Sequence, residues 1–388
     1  LLIVCPYRHL VTQWQRECEK FNLKPLLAFE TVHSWRGQLA NSLYNINSGT
    51  ASFLTIIVTN STLISEEFQF QLSYFPPKTL IIGDEVHNLG STRLEESLPR
   101  NIGLRLGLSA TPERYFDELG TDAVLNYFGE ILKPELTLAD AIARGALVPY
   151  LYYPILVKLT EEETIIYGKL TKRIGWAMQK NEDWQNNPIL TGLLMQRARL
   201  IGAAENKISA LHQLMSQRLH TSHTLFYCGD GQVHNQRQLL AVTRLLGQEL
   251  GYRVNTYTAE TSIKEREELQ AQFIRGDLQG LVAIRCLDEG VDIPSIETAV
   301  ILASTGNPRQ FIQRRGRVLR PAAGKKRANI FDMIVLPPEL DRETWLIERQ
   351  LLQKELKRFL EFAQIADNAA EAYQQIYEVL ERYDLLSL

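Results

Sequence analysis

The chain has 388 residues, 45% of them apolar and 22% charged, which is enough for two or three packed domains and excludes a disordered polymer. The four cysteines, Cys5, Cys18, Cys228 and Cys286, include no Cys-x-x-Cys pair; this disfavours a zinc ribbon or an iron–sulfur cluster and suits reduced thiols in a cytoplasmic protein. A net charge of −3 announces no nucleic-acid partner, and no apolar run approaches the roughly 20 residues that span a bilayer, so no membrane partner is expected.

Leu1–Cys5 is an apolar run stopped by Pro6, too short for a signal peptide and read as a buried strand. Leu10, Trp14, Cys18 and Phe21 then recur at helical spacing. Phe53–Thr59, Thr79–Ile82 and Leu104–Leu108 are further apolar runs of strand length. Continuous apolar strands separated by helices predict a parallel sheet covered on both faces. From Leu159 to about Arg218 the pattern turns helical and charged, opened by a capping box at Thr160 and Glu163 and broken at Asn187-Pro188. Its Trp176 and Trp184 read as core residues rather than stacking platforms. The strand pattern resumes with Thr224–Cys228, Arg253–Tyr257, Leu281–Cys286, Thr298–Ala303 and Asn329–Leu336, and Pro337-Pro338 closes it. The tail is helical by period, with Leu352, Leu356, Phe359 and Phe362 in register, and is expected to pack on a neighbouring element. The fold class is therefore α/β, with parallel-sheet domains at 1–154 and 219–337, a helical insert at 155–218 and a helical C-terminal extension at 338–388.

Four segments carry the chemistry. The strand ending at Gly83 runs into Asp84-Glu85-Val86-His87. Ligands of parallel α/β sheets bind beyond the carboxyl ends of the strands. Nucleotide hydrolysis needs one carboxylate for the Mg²⁺ shell and one group for the attacking water, roles that Asp84 and Glu85 would fill. A solvated strand-end turn would give the same tetrapeptide. Ser109-Ala110-Thr111, at the end of the next strand, offers hydroxyls that would bond the acidic segment; a Ser/Thr turn stopped by Pro112 is the plainer account. Arg285 to Pro294 is a strand followed by an acidic loop in which Gly290 permits close backbone approach and Asp292 offers an acceptor. Gln313, Arg317 and Arg320 are spaced to share one helical face ending at Pro321, and two guanidiniums there suit a triphosphate.

In this order and spacing the segments resemble the superfamily 2 DExH-box helicases. Asp84 to His87 is similar to motif II, Ser109 to Thr111 to motif III, the Gly290 and Asp292 loop to motif V, and Gln313 to Arg320 to motif VI. Leu2 to Pro6 with the helix from Leu10 resembles motif Ia, Val58 to Asn60 motif Ib, Leu225 to Cys228 motif IV, and Tyr257 to Glu260 the motif after it. The run Leu138 to Pro149 and the insert look most like the XPB and type III restriction-motor branch. DEAD-box RNA helicases would have Asp in place of His87.

The resemblance implies two RecA-like domains. ATP and a water-bridged Mg²⁺ would lie between Asp84 and Glu85, with His87, and the second domain's Gln313, Arg317, Arg320, Gly290 and Asp292. Ser109, Ala110 and Thr111 would couple nucleotide state to movement. Pro6, Tyr7, Arg8, Thr59, Asn60, Cys228, Thr258 and Arg285 would hold nucleic acid, with DNA as a single strand or forked duplex expected first and RNA second. The expected function is an ATP-driven DNA helicase or translocase in repair or foreign-DNA restriction. The alternatives are a nucleic-acid-binding module without ATPase activity and an ATP-dependent switch that senses nucleic acid without unwinding it. One departure bears on the choice. The family's Gly-x-x-x-x-Gly-Lys-Ser/Thr loop is absent from the 388 residues. Gly168-Lys169-Leu170-Thr171 lacks both the upstream glycine and the preceding strand. Truncation is the expected explanation, a degenerate ATPase the other.

Overall fold

The computed structural model describes all residues except 115–116, 180–187, 234–235, 259, 285–292, 294, 304–315, 339–341 and 387–388. The chain divides into two compact units, Leu1–Glu135 and Leu136–Leu388.

The first unit is a five-stranded sheet of β1 (Leu2–Cys5), β2 (Leu26–Ala28), β3 (Ile56–Thr59), β4 (Leu80–Asp84) and β5 (Leu104–Leu108), in the order β2-β3-β1-β4-β5. Every pairing is parallel. The central strands β1 and β3 are buried at every residue, which is why they read as unbroken apolar runs. Trp35, Leu39, Phe68 and Leu72 pack on one face; Val11 and Cys18 of the helix α1 (Arg8–Lys20) pack on the other. The edge strand β5 is the least covered, with Leu104 and Leu108 exposed.

The second unit contains a six-stranded parallel sheet of β6 (Tyr150–Lys158), β7 (Thr224–Cys228), β10 (Val254–Tyr257), β11 (Gly280–Ile284), β12 (Thr298–Ile301) and β13 (Ala328–Leu336), in the order β10-β11-β7-β12-β13-β6. A small antiparallel pair, β8 (Gln232–Val233) and β9 (Gln236–Arg237), stands apart from it.

Strand β6 corrects the expected organisation. The sequence reading closes the first domain at 154 and starts a helical insert at 155, yet Tyr150–Lys158 is one strand of the second sheet, paired with β13 along nine residues. Pro154 obscures it, but β6 is an edge strand, where a missing N–H costs no ladder bond. The three-residue β2 also has no counterpart in the sequence reading, because Leu-Leu-Ala after Pro25 carries no periodic signal.

The helices Glu161–Gln179, Pro188–Gly202 and Asn206–Ser216 follow β6. The capping box forms: the Thr160 amide donates to Glu163 Oε2 at 3.0 Å and the Glu163 amide to Thr160 Oγ1 at 3.3 Å. Pro188 opens the second helix, at a position where its absent N–H goes unmissed. Leu170, Ile174, Leu190 and Leu193 bury against Ile347 and Leu351 of the long helix Arg342–Ile365. Trp176 is not in this core; it is 66% exposed, because its neighbours Ile174 and Gly175 occupy the inward face. Trp184 lies outside the described residues.

The tail packs on the sheet, as its period implies. Leu352, Leu356, Phe359 and Phe362, with Ile376 and Leu380 of the helix Ala369–Arg382, join the core that contains Tyr150 and Tyr152. The link between these helices also satisfies the open edge of β6. Asp367 donates its amide to the Tyr150 carbonyl, and the Asn368 side chain accepts from the Tyr152 amide at 2.8 Å and donates to the Tyr152 carbonyl at 3.0 Å. Asn368→Ala is expected to destabilise the second unit by about 1–3 kcal/mol, since both main-chain groups lose their partner. Urea denaturation with an unchanged slope checks this.

Candidate nucleotide and nucleic-acid sites

Because the first sheet is parallel and in register, the carboxyl ends of its strands lie side by side. Cys5 stands opposite Thr59, and Asp84 opposite Leu108. The segments that follow these residues are Pro6–Arg8, Asn60–Thr62, Glu85–Gly90 and Ser109–Thr111, so four of the sequence-predicted motifs share one edge.

Asp84 closes β4. Its Oδ1 accepts from the Glu85 amide at 2.9 Å, and its Oδ2 from the indole N–H of Trp14 at 2.8 Å. Glu85 then takes a left-handed backbone with φ 46°, a costly conformation for a non-glycine residue. That turn starts the 3₁₀ segment Val86–Gly90. His87 is buried, 3% exposed, with its Nδ1 3.1 Å from Ser109 Oγ and 3.5 Å from Glu85 Oε2, and its Nε2 3.1 Å from Asn88 Nδ2. Asn88 Nδ2 also donates to the Glu85 carbonyl, which fixes the orientation of its amide. His87 Nε2 must therefore accept, and in the neutral ring the proton sits on Nδ1, facing Ser109 and Glu85. Ser109 Oγ accepts from the Thr111 amide as well, at 3.2 Å. The structure thus joins Glu85, His87, Ser109 and Thr111. Ala110 lies between them in the chain and offers only main-chain groups.

The sequence reading did not single out Arg114. It donates through Nη1 to the His87 carbonyl and through Nε to Asp117 Oδ2, at 2.6 Å. Asp117 in turn caps the helix Glu118–Phe128 at the Gly120 amide, and these two partners hold its carboxyl below the usual carboxylate range. The joint closes because residues 90 and 120 lack side chains: a Cβ on Gly90 would stand 2.2 Å from the Gly120 carbonyl oxygen.

Among the residues expected to meet nucleic acid, Tyr7 stands at the N-terminal boundary of α1 and stacks on His9, and Arg8 is exposed. Asn60 is half-buried. Thr59 departs from the expected role: its side chain is 3% exposed and caps the short helix Asn60–Leu63 by accepting from the Thr62 amide.

In the second unit, Cys228 is corrected in the same sense. It is 2% exposed in the core, and burial pushes its thiol pKa well up, so its side chain offers nothing to a strand. Thr258 follows β10 and turns the chain, its amide donating to Thr261 Oγ1 and its Oγ1 accepting from the Glu260 amide. Arg285, Gly290, Asp292 and Gln313 lie outside the described residues.

Arg317 and Arg320 are half-buried, but they do not share one helical face. Residues 316–318 are helical, and Arg320 sits beyond the turn at Leu319. Pro321 disfavours helical backbone at the residue before it, which ends the helix sooner than the spacing predicted. The segment is held instead by cross-links. Lys325 Nζ donates to the Val318 carbonyl at 2.6 Å and the Arg320 carbonyl at 2.9 Å, and the Val148 amide to the Leu319 carbonyl at 2.8 Å. Burial pushes the Lys325 pKa down to about 8. Gly168 to Thr171 lies within the helix Glu161–Gln179 and forms no phosphate loop.

Among the described residues no cluster of three or more His, Cys, Asp or Glu side chains is arranged to hold a metal. One carboxylate with spare acceptor positions is what Mg²⁺ requires when phosphates and water complete its shell, and Asp84 fits that description.

Each unit has a match among known protein families. Residues 1–114 match the family "Type III restriction enzyme, res subunit", and residues 206–322 match "Helicase conserved C-terminal domain". The "DNA 3'-5' translocase XPB2" of Sulfurisphaera tokodaii is 28% identical over 335 residues, which cover 82% of this chain and 69% of that protein. The "DNA 3'-5' helicase XPB" of Mycobacterium tuberculosis is 27% identical over 271 residues, 68% of this chain and 41% of that protein. The chain therefore spans less than half the length of this second relative. Among solved structures, the ATP-dependent Type ISP restriction-modification enzyme LlaBIII bound to DNA superposes with a TM-score of 0.56 at 14% identity, over 94% of this chain and 27% of that one. The Pyrococcus furiosus Hef helicase domain superposes with a TM-score of 0.50 at 15% identity, over 87% and 86%. At such identities the superpositions speak for the fold alone.

The two parallel-sheet units are RecA-like helicase domains. The chain is similar to the superfamily 2 helicases, ATP-dependent enzymes, on the XPB and type III restriction-motor side.

Gly90→Ala is expected to destabilise the first unit by about 1–3 kcal/mol, because backbone rather than a movable side chain blocks the new methyl. Gly37→Ala, in a helix with open space around it, is expected to be neutral or to stabilise by up to about 1 kcal/mol. Parallel urea melts of the two variants check both outcomes.

Proposed function

We propose that this chain is the motor core of an ATP-dependent DNA helicase or translocase. The observation that carries the reading is the cluster at the carboxyl edge of the first sheet beside Asp84, in which His87 Nδ1 lies 3.1 Å from Ser109 Oγ and 3.5 Å from Glu85 Oε2. In this reading Asp84 holds the water shell of Mg²⁺, which would neutralise phosphate charge. Glu85 orients the attacking water and takes its proton. Arg317 and Arg320 supply positive charge to the transferring phosphoryl group. His87 reports the state of Glu85 to Ser109 and Thr111. Gln313, Gly290 and Asp292 keep their expected nucleotide-side roles as part of the proposal.

DNA is the proposed substrate because the relatives are named for DNA and residues 1–114 match a restriction-subunit family. Pro6, Tyr7, Arg8, Asn60 and Thr258 would meet the phosphate backbone of one strand, by main-chain groups as well as side chains, with little base preference. The strand-separating or translocating role and the pathway, repair or restriction, extend this reading. The absence of a phosphate loop from the 388 residues favours a second reading, a DNA-binding module without turnover.

Three outcomes test the proposal. Residues 1–388 alone are expected to show no robust DNA-stimulated ATP hydrolysis, because the loop whose amides cradle phosphate is not among them; strong turnover would refute this. In any form of this protein that carries such a loop, Glu85→Gln is expected to keep ATP binding and lower turnover about a hundredfold or more, since an amide accepts no proton. Arg317→Ala and Arg320→Ala are each expected to lower turnover by about a thousandfold, also with ATP still bound. Fluorescent-nucleotide binding measured beside phosphate release separates these outcomes, and normal turnover in Glu85→Gln removes the assignment of the hydrolytic site.

A further inference from the structure

Trp14 lies on the face of α1 that packs against the first sheet, among Ile3, Cys5, Val11, Cys18 and Ile82. Leu or Phe there would serve packing equally well. Trp differs in carrying one N–H, and that group reaches Asp84 Oδ2 at 2.8 Å, 70 residues further along the chain. The other carboxylate oxygen accepts from the Glu85 amide. An ionised carboxylate offers about four acceptor positions. Two donors, one on each oxygen, fix its plane and leave acceptor capacity on both oxygens for water or a cation. The two donors differ in kind. The Glu85 amide adjoins Asp84 in the chain and moves with it, whereas the indole is anchored in a separate helix. Asp84 is in turn close enough to Cys5 for its charge to add to burial in raising the Cys5 pKa.

We propose that Trp14 is a positioning residue for Asp84: its indole N–H holds the carboxylate in the orientation that receives the Mg²⁺ shell, and so ties α1 to the nucleotide site. This rests on the reading of Asp84 given above. Without the indole, the carboxylate keeps only a tether to its own neighbour and turns about its side-chain bonds. Hydrogen-bond partners standing behind a metal-binding carboxylate typically govern metal affinity or activity by about 10–100-fold. The sequence places Trp14 at a helical core spacing, where packing alone accounts for it, so the role appears only when the direction of the N–H is known.

Two measurements test the assignment. In residues 1–388, the Trp14 indole N–H resonance, identified by its loss in Trp14→Phe, is expected to exchange slowly with solvent and to shift in Asp84→Asn. In any form of this protein that hydrolyses ATP, Trp14→Phe is expected to raise the Mg²⁺ concentration for half-maximal ATP hydrolysis about tenfold or more, and Trp14→His, which restores a ring N–H, to recover most of the loss. An indole resonance indifferent to Asp84→Asn overturns the proposal, as does a folded Trp14→Phe protein with the wild-type Mg²⁺ dependence. Should Trp14→Phe fail to fold, the Trp14→His profile and the response of the indole to Asp84→Asn decide. A responsive indole in a wild-type protein without ATP turnover would keep the contact and remove the motor reading. An unresponsive indole in an active protein would do the reverse.

Discussion

Parallel pairing is the constraint on which the first unit depends. Strands that run the same way must be joined by crossovers, and their carboxyl ends then fall along one edge. Cys5, Thr59, Asp84 and Leu108 end their strands within a residue of one another in the ladder. The residues that begin the following turns are brought together without any long-range pairing of their own. His87 meets Ser109 across 22 residues because β4 and β5 are in register, with each segment adding only a short turn beyond its strand. The left-handed backbone at Glu85 belongs to the same economy: it bends the chain at once after β4 and keeps the buried His87 near the sheet edge rather than out in solvent.

This explains which parts were legible in the sequence. Strands buried on both faces must be apolar throughout, so β1, β3, β7 and β12 announce themselves, and the polar segments after them stand out by contrast. The capping box at Thr160 and Glu163 was legible because it is local, made of two residues three apart. What failed to show was decided by tertiary position. The proline in β6 is tolerated only because that strand is at an edge, and nothing in Tyr-Leu-Tyr-Tyr-Pro says so. Thr59 and Cys228 stand at motif positions that suggest contact with nucleic acid, yet one caps a helix and the other fills the core. Arg114 gives no sequence signal of its place at the site, because its contact there is the main-chain carbonyl of His87, which leaves no mark on residue type.

The two arginines show the same limit from the other side. Spacing of four and then three residues is a necessary condition for a shared helical face, but not a sufficient one. Here the proline that was read as the end of the helix acts one residue before itself, so Arg320 belongs to a turn. A turn has no internal ladder to hold its geometry, and the second unit provides one from outside: Lys325 spans the carbonyls on either side of Leu319, whose own carbonyl receives the Val148 amide. Three consecutive carbonyls are thereby tied to groups outside the segment. Arg320 is consequently fixed by cross-links, with Arg317 just before the cross-linked residues, whereas Asp84 and Glu85 are fixed by sheet register.

These two modes of anchoring differ in how they respond to change. Register is shared among many main-chain bonds, so the placement of Asp84 along the sheet edge is insensitive to any single side chain. The orientation of its carboxylate is not, because a ladder sets where a strand ends and not how the last side chain turns. That remaining freedom is removed by one indole from α1 and one amide from the next residue. The helix that carries the indole begins at Arg8, directly after Tyr7, among the residues assigned to the nucleic-acid side. From Arg8 to Trp14 is six residues, or about 9 Å along a helix. A rigid helix of under two turns therefore separates the proposed strand-binding end of α1 from the carboxylate, and any displacement of α1 along its axis changes the 2.8 Å contact directly, with no intermediate side chain to absorb it.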